Sequence, residues 1–340
     1  MKQIYISFLL LLLCSFSGRA DYVRDTLGGD FLCKTIHMPD DYEGKVDVTI
    51  IRKTSGLGAD KAVLYIHGFN DYFFQKEEAT FFADECYNFY AVDLRKYGRS
   101  WMSHQKRGNV KALSEYFADI DSALSTIRSE GNNSVILLGH STGGLIASLY
   151  LDQIDRRGAD SSFVKGLILN SPFLDMNQSW IKEKIAIPLI SLWGTVSPST
   201  IVSKDQNTLY GKSLHSAYKG EWTYDLRWKT LESIPVNAAF IKTVYAAQKR
   251  IRAGLKITQP ILAMHSSCSI RSDVWSDEFM RSDAVLDVED IHAYSPRLGN
   301  RVTLVVIQNG LHDLALSQPK VRESYYEKIR EWLKKNLKSI

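Results

Sequence analysis

Short apolar runs recur along the chain, and most are continuous rather than alternating. Ala62 to Ile66, Phe89 to Val92, Val135 to Leu138, Val164 to Leu169, Ile261 to Met264 and Val302 to Ile307 are of strand length. Continuous runs of this kind suit parallel strands buried on both faces. Helical spacing fills the gaps between them. Leu113, Phe117, Ile120, Leu124 and Ile127 step by four and three along one face, as an amphipathic helix requires. Further helices are expected over 77–88, from 142 to about 157 with Gly158 as cap, and over 237–253. A last helix has Pro319 in its first turn and Ser317 as its cap. In front of the first buried run, Phe31–Pro39 and the alternating Val46–Ile51 predict a hairpin turning through Asp40–Gly44. Regular strand–helix alternation predicts an α/β domain: a mostly parallel central sheet with helices on both faces.

The rhythm breaks twice. From Pro172 to Pro235 no strand–helix order is visible, and four of the seven tryptophans fall there. A long segment inserted in a compact domain reads as a lid or binding element. We therefore expect a cap over 173–235, with the core formed by 21–172 and 236–340. The second break is the polar stretch Ser266–Arg281, which precedes an apparent helix from Asp283 to Ile291.

The most informative stretch is Ser134 to Ala147. A buried strand runs into Gly139-His140-Ser141-Thr142-Gly143 and a helix follows at once. This is the Gly-x-Ser-x-Gly turn in the strand–turn–helix setting that exposes a nucleophilic serine. A serine hydroxyl reacts only when a base takes its proton and a carboxylate orients that base. In this arrangement the chain order is serine, acid, histidine. Of the eight histidines, only His312 lies in a polar loop directly after the last strand. For the acid, Asp273, Asp277, Asp283, Asp287 and Asp290 all follow the right strand. Asp283 is favoured because it stands where a helix N-cap would, and Asp273 is second. The oxyanion donors are expected to be the backbone amides of Thr142 and Phe69. His67 is read as a structural hydrogen-bonding residue beneath the Phe69 loop.

Composition narrows the class. The chain has 340 residues, 45% of them hydrophobic, enough for a substantial core. A net charge of +4 without a basic, aromatic-interleaved patch argues against a nucleic-acid partner. Residues 1–20 resemble a secretory leader: Lys2, an apolar core from Ile6 to Leu13, and Gly18-Arg19-Ala20 at the cleavage point. Their removal takes away two cations and no acid, which leaves +2. An exported protein, periplasmic or extracellular, is expected. Cys14 follows three leucines, but Leu13 is not the small residue that a lipoprotein signal places there. The remaining Cys33, Cys86 and Cys268 are expected as buried thiols, with one disulfide among them the alternative. No metal-ligand spacing or phosphate loop is present, so no cofactor is expected.

Together these motifs resemble a family. His67-Gly68-Phe69, Asp93 to Ser100, Gly139-His140-Ser141-Thr142-Gly143-Gly144, Pro260-Ile261-Leu262, Asp283 with Val285, and His312-Asp313 stand in α/β-hydrolase order. The chain is most similar to the monoacylglycerol lipase and lysophospholipase-like branch, also described as serine aminopeptidase-like, over about residues 45–338. The resemblance implies a serine hydrolase with a cap after the sixth strand, and Ser141, Asp283 and His312 as nucleophile, acid and base. The chain departs from the family in the long Ser266–Arg281 stretch and in Arg95-Lys96-Tyr97-Gly98. An exported hydrolase of acyl esters (a monoacylglycerol, a lysophospholipid or a simple ester) is the expected function. The cap would offer the apolar contact to substrate, and transiently to a membrane surface. A peptidase with the same triad is the second expectation, with Asp175, Glu183 or Glu221 of the cap binding the amino terminus. A non-catalytic binding protein on the same fold is the third.

Overall fold

The structure, a computed structural model, describes residues 21–56, 58–158, 162–176 and 186–337. The leader-like residues 1–20 with Cys14, and Trp180 and Glu183 of the expected cap, lie outside the described residues.

Among the described residues, nine strands form one sheet. Its first three are β1 (Val23–Arg24), β2 (Leu32–Asp41) and β3 (Gly44–Lys53). The others are β4 (Lys61–Ile66), β5 (Asn88–Asp93), β6 (Ser134–His140), β7 (Val164–Asn170), β10 (Ile261–Ser266) and β11 (Val302–Ile307). Their order is β1-β2-β3-β5-β4-β6-β7-β10-β11. The N-terminal hairpin is antiparallel, and from β5 to β11 every pairing is parallel. Each continuous apolar run found in the sequence is one of these strands.

Five long helices flank the sheet: α1 (Lys76–Asp84), α2 (Glu115–Ser129), α3 (Thr142–Arg156), α6 (Ala238–Ala253) and α8 (Pro319–Asn336). Alternate strand residues explain how they divide. Leu64 packs into a core with Phe117 and Ile120 of α2, Leu145 of α3 and Val244 of α6. Val63 and Tyr65 point the other way, to Phe82 of α1 and Ile329 and Trp332 of α8.

Between β7 and β10 the chain builds an extra layer from α4 (Ile187–Val196), β8 (Ile201–Ser203), α5 (Leu209–Leu214) and β9 (Val236–Asn237). β9 pairs with β8, so this layer runs two residues past the 235/236 boundary drawn from sequence. Among the described residues, its tryptophans Trp193, Trp222 and Trp228 do not line the cavity described below. The Trp222 indole donates to Leu316 O at 2.8 Å and Trp228 packs edge-on against Tyr72. A third apolar cluster, with Tyr72, Leu214, Tyr224 and Leu316, fastens the layer to the loops after β4 and β11.

Several local expectations need correction. The helix expected from Asp283 is α7 (Val288–Tyr294), and Asp287 caps it through the Glu289 amide. Asp283 is therefore not an N-cap. Ser317 does not cap α8. Gln318 holds that position, and the Ser317 hydroxyl instead accepts from Leu311 N at 2.9 Å. The three cysteines are free, and two of them, Cys86 and Cys268, are exposed rather than buried.

Candidate active site

The Ser141 turn is tight enough to specify its glycines individually. A Cβ on Gly143 would lie 2.1 Å from Ile66 O, and one on Gly139 would lie 2.6 Å from Gly144 Cα. Ser141 itself takes φ 52° and ψ −119°, a left-handed region that L-residues occupy at a cost. Its neighbours hold it there. Ser141 N donates to Asn170 O at 3.0 Å, and Ser141 O receives the amides of Gly144, Leu145 and Phe173. The hydroxyl therefore stands at the end of β6, over the N-terminus of α3, where the helix dipole favours negative charge.

His312, in the loop after β11, places Nε2 3.0 Å from Ser141 Oγ. Its Nδ1 meets Asp283 Oδ2 at 2.8 Å. The three side chains are brought together from the segments that follow β6, β10 and β11 and are nearly out of solvent: Ser141 is 8% exposed, His312 3% and Asp283 0%. Asp283 is fixed by a turn. Its Oδ1 accepts the amides of Val285 and Leu286 at 2.8 and 2.7 Å, and its main chain bridges to the 268–270 segment. Asp273, the second candidate acid, is placed elsewhere, at the cavity wall beside Asn207.

Phe69 and Thr142 both border the same cavity as Ser141 and His312. Among the described residues neither amide donates to a protein acceptor. The Phe69 loop lies directly on the nucleophile, since a Cβ on Gly68 would be 3.1 Å from Ser141 Cβ. His67 beneath it accepts Leu94 N on Nε2 at 3.0 Å. Its Nδ1 therefore carries the proton and donates to Gly68 O at 2.7 Å. Burial pushes His67 below the usual histidine range, which favours this neutral form.

Beneath the triad lies a polar layer that the sequence reading did not single out. Asp313, fully buried, accepts from Gln75 at 2.9 Å and Asn170 at 2.7 Å. Burial would raise its carboxyl, but His140, Gln75, Lys229 and Asn170 outweigh that and hold it below the usual carboxylate range. Burial pushes His140 down. Asp71, His140 and Asp313 bring potential ligand atoms within 4.8 Å of one another. The Lys229 ammonium, 2.9 Å from Asp71 Oδ1, already supplies positive charge beside them. The His-Asp pair at 312–313 was the available signal for this layer. Lys229 carried none.

The cavity measures about 830 Å³, within the size range that encloses small ligands. Phe69 and Phe240 from the core, Phe173 from the stretch just after β7, and Ile187, Ile190 and Leu231 from the inserted layer make much of it apolar. Asp205, Arg271 and Asp273 add charge to its lining. Two of the acids proposed for an amino terminus are engaged elsewhere: Asp175 with Arg252 and Glu221 with Arg322, both at 2.6 Å.

Comparison with known proteins agrees with this fold. The sequence profile of the family described as serine aminopeptidase, S33, matches residues 58–318. No curated protein matches the sequence. Among solved structures, a soluble variant of monoglyceride lipase from Saccharomyces cerevisiae superposes with a TM-score of 0.65 at 16% identity, covering 89% of this chain and 96% of that one. A monoacylglycerol lipase from Paleococcus ferrophilus gives 0.59 at 16% identity, over 88% and 98%. Est1E from Butyrivibrio proteoclasticus, with ferulic acid bound, gives 0.55 at 16% identity, over 89% and 100%. At these identities the likeness shows a shared α/β-hydrolase fold.

Proposed function

The chain belongs to the serine aminopeptidase S33 family of α/β-hydrolases, and on that premise we propose that it hydrolyses carboxylic esters of acyl chains through an acyl-enzyme on Ser141. The single observation that carries this reading is the chain of contacts Ser141 Oγ–His312 Nε2 at 3.0 Å and His312 Nδ1–Asp283 Oδ2 at 2.8 Å, opening onto an apolar cavity.

Ser141 Oγ adds to the ester carbonyl as its proton passes to His312 Nε2. Asp283 steadies the imidazolium through Nδ1–H. The new oxyanion receives the amides of Phe69, in the loop after β4, and of Thr142, at the head of α3. His312 gives the proton to the leaving alkoxide, the C–O bond breaks, and the acyl group stays on Ser141. A water molecule then loses a proton to His312 and adds to the acyl carbon. Collapse returns that proton to Ser141 Oγ and releases the carboxylic acid.

Acyl esters of a monoacylglycerol, lysophospholipid or simple ester type suit the apolar lining. One face of α4 supports a substrate drawn from a lipid surface: Leu189, Leu192, Trp193 and Val196 are exposed, while Ile187 and Ile190 line the cavity. Among the described residues no helix is long and apolar enough to cross a membrane, so this contact would be peripheral. The leader-like residues 1–20 support an exported enzyme. A peptidase reading keeps one specific observation in its favour, the Asp205 and Asp273 carboxylates at the cavity lining. The test compares p-nitrophenyl esters of increasing acyl length with amino-acid p-nitroanilides. Ester turnover that rises with chain length supports the proposal; turnover of the anilides alone overturns it.

A further inference from the structure

We infer that the inserted layer positions the oxyanion donor, and that Lys229 is the positioning residue through which it acts. This rests on the reading of Ser141 and Phe69 given above. The Phe69 N–H shares a planar peptide unit with Gly68 C=O, and the two point in opposite directions. The bond from His67 Nδ1 to Gly68 O at 2.7 Å therefore fixes the rotation of the donor from the N-terminal side.

The other side of that peptide is held by the inserted layer. The chain leaves Phe69 through Asn70 at φ 52°, a conformation that asparagine tolerates better than most residues. Three consecutive side chains then reach across. Asn70 Nδ2 donates to Thr230 O at 3.1 Å and Glu232 O at 3.0 Å, and Asn70 Oδ1 accepts the Thr230 hydroxyl at 3.0 Å. Asp71 Oδ1 pairs with Lys229 Nζ at 2.9 Å. The Tyr72 hydroxyl accepts Asp225 N at 2.7 Å.

The Asp71–Lys229 pair dominates this clamp. Asp71 is 1% exposed and Lys229 6%, so water screens the pair little. Loss of either partner leaves a buried charge without its counterion, and the loop that carries Phe69 must move to solvate it. Thr230, Leu231 and Ser233, on the same stretch as Lys229, also line the cavity. A substrate that seats this stretch therefore also sets the Phe69 amide. Binding contacts remote from the carbonyl are converted into stabilisation of its oxyanion.

The test uses the full chain and two variants: Lys229→Met, which keeps an unbranched stem without charge, and Tyr72→Phe, which removes only the bond from Asp225. Wild-type protein is first exposed to a fluorophosphonate. Failure to label Ser141 defeats the hydrolase reading, whereas the clamp is judged on untreated protein from a preparation whose labelled sample shows Ser141 to be reactive. Folded Lys229→Met should lose about 10- to 100-fold in kcat, as a displaced donor loop predicts, with KM within about twofold. Its affinity for an acyl trifluoromethyl ketone, which forms a hemiketal oxyanion with serine, should fall by the same factor. Affinity for the matching methyl ketone should hold. Tyr72→Phe should show the same separation in smaller measure, and it carries the test if Lys229→Met does not fold. Equal weakening of both ketones, or no loss of kcat, in the folded variants overturns the inference.

Discussion

Asp283 meets His312 Nδ1 through Oδ2 at 2.8 Å, while its other oxygen is held by two backbone amides. One carboxylate oxygen thus builds the loop and the other orients the ring. Asp283→Asn can keep the loop contacts and still present an N–H to Nδ1. That change would invert the His312 tautomer and leave Nε2 protonated toward Ser141. We expect kcat to fall by about 10⁴ with little change in the unfolding midpoint. Steady-state kinetics and thermal denaturation on the same preparation check both parts.

Gly143→Ala should act on the fold. Its Cβ would fall 2.1 Å from Ile66 O and 2.5 Å from His67 O, against backbone that cannot rotate away. Destabilisation of about 2–3 kcal/mol is expected, read as a lowered denaturant midpoint with an unchanged slope. An unshifted midpoint would mean that the β6–α3 turn is looser than described.

Glu78 predicts a pH effect on stability. Burial, reinforced by Asp313, pushes its carboxyl up from 4.5 to about 8. The folded protein keeps the proton between these values while the unfolded chain releases it. Stability contributed at this site therefore falls as pH rises from 4.5 to about 8 and then levels off. Glu78→Gln cannot ionise and escapes that slope. Its melting temperature should exceed the wild-type value by a margin that widens across this window and is small at its acid end. A margin independent of pH would contradict the assignment.

The exposed face of α4 gives a prediction about substrate presentation. Replacing Leu189, Leu192 and Val196 together by serine removes apolar surface that faces solvent. Hydrolysis of an ester carried in phospholipid vesicles should drop at least about tenfold, since each apolar side chain withdrawn from the interface, even if only partly buried there, costs about 1 kcal/mol. Hydrolysis of a soluble short-chain ester should stay within about twofold. An equal drop with both substrates would locate the effect in the cavity.

Much of this arrangement could be read from residue order. The parallel strands were legible because burial on both faces leaves continuous apolar runs. Ser141 and His312 were legible because one lies in a turn with a rigid sequence requirement and the other follows the last strand. Asp283 was selected on a mistaken ground. Its position looked like an N-cap, but Asp287 caps α7 and Asp283 is held by a turn of its own. Both aspartates precede short polar–apolar stretches, and local pattern alone does not rank them. Ser317 was misassigned for a similar reason, because its hydroxyl serves Leu311 rather than the helix that follows. Lys229 was illegible for a deeper reason. Its partner Asp71 lies on another element far away in the chain, and nothing periodic or local marks an ion pair formed by tertiary packing.

Covalent capture of Ser141 tests the central claim most directly. Protein treated with a fluorophosphonate and digested should carry the adduct on the peptide containing Ser141. Ser141→Ala should take no label and lose p-nitrophenyl ester hydrolysis while keeping its melting temperature. A folded wild-type protein that takes no label, or a Ser141→Ala variant that hydrolyses the ester at the wild-type rate, would contradict the account.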